Sequence, residues 1–116
     1  MVPTLDPSRL DRLFRAFADR TRRRILKLLG DGELCVGDLV AILRVPQSRA
    51  SRHLAVLRRA ALVRRRESGL WSFYSLAPGR RPLQRKLLGW LQDLPAYRDD
   101  AHRARRLRRE GGCCPK

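Results

Sequence analysis

The sequence predicts a mostly α-helical fold that carries one β-hairpin, on three observations. Apolar residues recur every three or four positions across most of the chain, which is the period of a helix with one buried stripe. The period drops to two only around residues 62–76, in runs rich in aromatic and β-branched residues. Proline and glycine stand between these stretches, where helices and strands must end. A length of 116 residues suits one domain and is short for two.

The elements follow in order. Asp6-Pro7 pairs a capping side chain with proline at the first helical position. Leu10, Leu13, Phe14 and Phe17 then form one apolar stripe. Asp19 ends this helix, and Thr21 is placed to cap a second, whose Ile25, Leu28 and Leu29 face inward until Gly30 and Gly32 stop it. Glu33-Leu34-Cys35 reads as a short extended piece, and Val36 to Leu43 as a brief third helix. Val45-Pro46 breaks the chain before a fourth helix over Gln47 to Ala60. Leu62 to Arg66 and Trp71 to Leu76 read as strands, with Glu67-Ser68-Gly69 as the hairpin turn. Pro78, Gly79 and Pro82 open a last helix bearing Leu83, Leu87, Trp90, Leu91 and Leu94, and Pro95 ends it. Residues 97–116, mainly Arg and Asp before Gly111-Gly112-Cys113-Cys114, read as a basic tail, helical at best in part, behind a domain of residues 1–96. Helices, a tightly joined helix pair, a β-hairpin and a closing helix make a winged helix-turn-helix.

Charge bounds the partner. Lys and Arg number 27 against 11 acidic residues, a net charge of +16, well beyond what solubility needs. The excess points to a polyanion, with nucleic acid first, and arginine suits phosphates and guanine edges. The fourth helix separates into two faces. Ala50, Leu54, Leu57 and Ala61 lie on one; Ser48, Ser51, Arg52, Ala55 and Arg59 lie on the other. A small, polar and basic face is what a helix needs to enter a major groove.

The first and last helices carry more apolar surface than a monomer hides, so Leu10, Leu13, Phe14, Phe17, Leu83, Leu87, Trp90 and Leu94 are the candidate dimer interface. The alternative assigns these stripes to the monomer core. No apolar run reaches the ~20 residues of a membrane span, and Met1-Val2-Pro3-Thr4 lacks a secretory signal, so a cytoplasmic location with no membrane partner is expected. Three cysteines do not read as a disulfide framework. No Gly-rich phosphate loop or acid–base constellation suggests an enzyme.

Four segments together carry a resemblance. Ala16-Phe17-Ala18-Asp19-Arg20-Thr21-Arg22-Arg23-Arg24-Ile25-Leu26, Glu33-Leu34-Cys35-Val36-Gly37-Asp38-Leu39, Gln47-Ser48-Arg49-Ala50-Ser51-Arg52-His53-Leu54 and Trp71-Ser72-Phe73-Tyr74-Ser75-Leu76 stand in the order found in the ArsR/SmtB family of metal-responsive repressors. They resemble, respectively, its opening helix junction, its arsenic-binding box, its recognition helix and its wing. The resemblance covers roughly residues 8–77. It implies a homodimeric winged helix-turn-helix repressor of a metal(loid)-resistance operon, seated on an inverted-repeat DNA operator and released by a metal or metalloid ion.

By resemblance and helical phase, Gln47, Ser48, Arg49, Ser51, Arg52 and His53 are the groove-facing candidates. His53 falls at the edge of the apolar face and fits packing as well as contact. Arg64, Arg65 and Arg66 alternate along the wing, so at most two face DNA; Arg64 and Arg66 are the candidates, with a solvated strand face as the alternative.

The family's arsenic box usually carries Cys-Val-Cys, and here Gly37 takes the second position. Trivalent arsenic is thiophilic and suits three thiolates. Cys113 and Cys114 supply two more, beside the cations Arg106, Arg108, Arg109 and Lys116, which favour thiolates. The expected ligands are Cys35, Cys113 and Cys114, for As(III), with Sb(III), Cd(II) or Zn(II) on the same sulfurs as alternatives. A redox-sensing repressor and a constitutive one remain open. In either, Cys35 is a small buried hydrophobe or an oxidisable thiol.

Overall fold

The computed structural model describes residues 6–77, 79 and 81–112. The order is α1 (Pro7–Ala18), α2 (Arg20–Leu29), β1 (Leu34–Cys35), α3 (Val36–Leu43), α4 (Gln47–Arg59), β2 (Val63–Ser68), β3 (Trp71–Leu76), α5 (Pro82–Asp93) and α6 (Arg98–Arg109).

Local chemistry sets most boundaries. The Asp6 side chain accepts from the Ser8 backbone N–H, and Pro7 occupies the first turn of α1, where its missing N–H costs nothing. Asp19 both ends α1 and caps α2, accepting from the Arg22 N–H at 3.0 Å. The expected cap, Thr21, lies inside the first turn instead. Asp19 is in extended backbone at φ −96°, the geometry a capping side chain requires. The turn from α3 to α4 passes through Arg44 in the left-handed region, φ 57°, before Pro46.

β1, β3 and β2 form one antiparallel sheet in that spatial order. Ser68 pairs with Trp71, so the turn is Gly69-Leu70, one step beyond the expected Glu67–Gly69. Gly69 has φ 60°, and a two-residue hairpin with positive φ at its first central position favours glycine there.

The core gathers Ile25, Leu26, Leu39, Ile42, Leu54, Leu57, Leu62 and Leu91, all essentially inaccessible. Leu13 and Phe17, expected at the dimer interface, are buried in this core. The stripe of α1 is wider than one contact: Leu13, Ala16 and Phe17 face α2 and α4, while Phe14 stays 51% exposed.

The expected basic tail is corrected over 98–109. These residues form α6, which packs on α2 and α3. Asp100, Ala104 and Leu107, spaced four and three apart, face inward, while Arg105, Arg106 and Arg109 stay exposed. The charge of the exposed face masked this narrow inward stripe in the sequence.

Candidate nucleic-acid interface and thiol site

α4 lies against the folded chain by Ala50, Leu54 and Leu57, which turns Gln47, Ser48, Arg49, Ser51 and Arg52 outward into solvent. Its N-terminus has no side-chain cap, so the first amides remain open to a phosphate. Between α4 and the sheet runs a groove of about 710 Å³ lined by Gln47, Ser51, Arg58, Arg65 and Ser72, among others. No acidic side chain among the described residues lines it. Helix and hairpin thus present a mainly basic surface, in which Arg65 is itself ion-paired with Glu67 on the same strand face.

The wing arginines divide between the two faces of the sheet. Arg65 stands opposite Tyr74, and both line the groove. Arg64 and Arg66, the sequence candidates, alternate to the other face. There Arg66 lies 4.4 Å from the Phe73 ring centroid and donates two hydrogen bonds to Glu33, at 3.1 and 2.6 Å. The hydrogen bond with Arg66 holds the Glu33 carboxyl below its ordinary value, outweighing burial. Arg65 and Arg58 are the groove residues that sequence reasoning passed over. Arg58 follows Ser51 by seven residues, two helical turns along the same face, and could have been found from spacing.

His53 is half-buried. Its Nδ1 sits 3.8 Å from the Asp19 carboxylate, so it faces the start of α2. Burial pushes the imidazole pKa down, Asp19 opposes it, and the charges of Arg22, Arg49 and Arg52 push down further. The net direction favours the neutral ring.

Cys35 stands where three elements meet. It is 1% exposed, its backbone pairs with Phe73 in β3, and it is the N-cap of α3, its Sγ accepting from the Asp38 N–H at 3.4 Å. Cys35 is disulfide-bonded in this structure. Cys113 and Cys114 lie outside the described residues. What is described is the chain leading to them. α6 ends at Glu110, and Gly111 and Gly112 follow at φ 92° and 78°. The Gly112 N–H returns to the Leu107 carbonyl at 2.9 Å. This left-handed turn carries Gly112 against the first turn of α3: a Cβ there would come within 3.1 Å of Asp38 Oδ2. No group of three His, Cys, Asp or Glu able to hold a metal occurs among the described residues.

Phe14 and Trp90 are large exposed apolar residues, 51% and 54% accessible, as are Leu70 and Trp71 at the hairpin, while Leu10 is half-buried on α1 and Leu83, Leu87 and Leu94, expected at the dimer interface, are half-buried against the core. No helix is long and apolar enough to cross a membrane, among the described residues.

Comparison with known proteins adds three kinds of finding. The family model described as bacterial regulatory protein, arsR family, matches residues 19–65, from the Asp19 cap through the first half of β2. An arsenical resistance operon repressor of Escherichia coli is 48% identical over 67 residues, 57% of this chain and 57% of that protein. The chain thus spans little more than half the length of that curated relative. Among solved structures, HlyU of Vibrio cholerae superposes with a TM-score of 0.66 at 35% identity, covering 77% of this chain and 94% of that one. A homodimeric winged helix-turn-helix DNA-binding domain of Mycobacterium bovis superposes at 0.64 and 26% identity, over 79% of this chain and 87% of that one. The chain belongs to the arsR family of bacterial regulatory proteins, and is a winged helix-turn-helix DNA-binding transcriptional regulator rather than an enzyme.

Proposed function

We propose that this regulator is a homodimeric repressor of a metalloid-resistance operon, seated on an inverted-repeat operator and released when As(III) is held by Cys35, Cys113 and Cys114. The observation that carries the reading is the position of Gly112 against Asp38, beside the helix cap that Cys35 provides. Cys113 follows Gly112 directly in sequence, and Gly112 is the last described residue and lies against the helix that Cys35 begins. Once Cys35 is reduced to its thiol, the donor set fits a thiophilic ion: three sulfurs on one chain, reached without the Gly37 position that the family usually fills with cysteine. When bound, the ion supplies a soft Lewis-acid centre that draws thiolates together. Engaging the Cys35 sulfur competes with its bond to the Asp38 N–H, and so loosens the cap of α3, which precedes the recognition helix. An ion shifts the DNA equilibrium only through different affinity for the two states, and a cap made in one state supplies such a difference.

Support for repression and arsenic comes from the Escherichia coli relative, and support for a dimer from the Mycobacterium bovis domain. A second reading, redox sensing, is favoured by the disulfide at Cys35, and one solved relative is described as reduced HlyU. HlyU is itself named a transcriptional activator.

The test is operator release by reduced protein, titrated with arsenite, antimonite, cadmium and zinc beside hydrogen peroxide, for wild type and Cys113→Ser/Cys114→Ser. Arsenite is expected to release wild type and leave the double variant bound. Release of the double variant at the wild-type arsenite concentration removes the tail cysteines as ligands. Release by peroxide alone replaces arsenic with redox sensing, and response to neither makes the repressor constitutive.

A further inference from the structure

α6 packs on α3, is hydrogen-bonded to its end at the α6 start and, just past the α6 end, comes close to its first turn. At the start of α6, Asp100 is 3% exposed and bridges two arginines. Arg24 of α2 meets its two oxygens at 2.7 and 2.8 Å, and Arg103 meets Oδ1 at 2.8 Å. Both arginines then reach the last carbonyls of α3. Arg103 Nε donates to the Ile42 oxygen at 2.7 Å, and Arg24 donates to the Leu43 oxygen at 3.2 Å. Those carbonyls belong to the final turn of a helix, where no intrahelical donor exists. One residue later the chain turns through Arg44 toward α4. At the other end of α6, Gly112 sits against Asp38 in the first turn of α3. The described part of α6 lines no part of the groove between α4 and the wing.

We propose that α6 is the element that transmits occupancy of the proposed cysteine-ligand set to the recognition helix, with Arg103, Asp100 and Arg24 as its positioning residues at the α3–α4 turn. The inference rests on the cysteine-ligand reading for its input and on the structure alone for its output. A twelve-residue helix packed on two others moves as a unit. A shift at its glycine end is therefore felt at its Asp100 end, where charged hydrogen bonds hold the carbonyls that precede α4. Such bonds to a nearly dry carboxylate have discrete arrangements rather than a continuous range, which is what coupling between distant sites requires.

Arg103→Ala separates the parts. It removes the bond to Ile42 and one partner of Asp100, while the two Arg24 bonds to Asp100 keep the carboxylate paired. The variant is expected to bind arsenite with wild-type stoichiometry and to bind ligand-free operator with wild-type affinity. It should lose roughly tenfold of the arsenite-driven fall in operator affinity, within the usual range of coupling strengths. Arg103→Lys should restore part of the response, and Arg106→Ala, on the exposed face of the same helix, should change nothing. A full arsenite response in Arg103→Ala overturns the proposal. A second measurement needs no inducer, because coupling is reciprocal. Operator binding should alter amide hydrogen exchange over residues 98–109 in wild type and leave it unaltered in Arg103→Ala. No operator-linked change in wild type overturns the strap whatever the inducer is. An operator-linked change without any arsenite response keeps the strap and overturns the arsenic reading.

Discussion

Asp19 links two helices through one side chain. Its carboxylate accepts the Arg22 N–H, and its neighbours decide its acidity. Burial raises its pKa, but the backbone hydrogen bond and the charges of His53 and Arg22 outweigh burial and hold it below the ordinary value of 3.8. Asp19→Ala should therefore lower stability at neutral pH by about 1 kcal/mol, the usual worth of a capping side chain. The sign with pH is fixed by the direction of the shift. The contribution is fully present above the unfolded pKa and fades as pH falls through the folded one. Urea unfolding of both proteins at neutral pH and in strong acid checks this: the gap should close in acid, and a gap independent of pH would remove the carboxylate as its cause. The sequence shows two cap formers, Asp19 and Thr21, two residues apart. Propensity does not choose between them; the backbone conformation at Asp19 does.

At the scale of the element, strand parity assigns the wing. Side chains alternate across a sheet, so a decision of one residue moves every side chain to the opposite face. The sequence displays three consecutive arginines and leaves that decision open. The register Arg65 to Tyr74 makes it, and pairing with Glu33 and Phe73 engages Arg66 on the far face. Arg65→Ala should weaken operator binding and reduce the salt slope by about 1, the signature of a lost phosphate contact. Arg66→Ala should leave that slope unchanged. Binding isotherms at several salt concentrations decide, and equal slopes in wild type and Arg65→Ala would return the arginine to solvent. On α4 the two-faced pattern was legible because helical phase depends only on spacing within one segment. Arg52→Ala should cost ~1–3 kcal/mol of operator affinity if it reads a base.

For the whole molecule, the apolar residues left outside the core matter most. Phe14 and Trp90 remain about half exposed on the first and fifth helices, while the other exposed large apolar residues, Leu70 and Trp71, sit at the hairpin turn. Phe14→Glu with Trp90→Glu should convert a dimer to a monomer at micromolar concentration, with secondary structure retained. Sedimentation velocity and circular dichroism read the two outcomes. A double variant that sediments as the wild-type dimer would place the interface elsewhere. Operator affinity should fall when dimerisation is lost, because the proposed inverted-repeat operator engages two recognition helices at once.

The amino-acid order alone determined the elements and their succession through α5, the two faces of α4 and the family, because each is written in spacings of a few residues. Tertiary structure decided which half of the α1 stripe is core, which wing arginine meets the groove, that residues 98–109 pack rather than trail, and that Gly112 returns to Asp38. These depend on contacts between residues far apart in sequence, such as Arg24 with Asp100 or Ile42 with Arg103. No local pattern encodes such pairs; they exist only once burial has closed the chain around them.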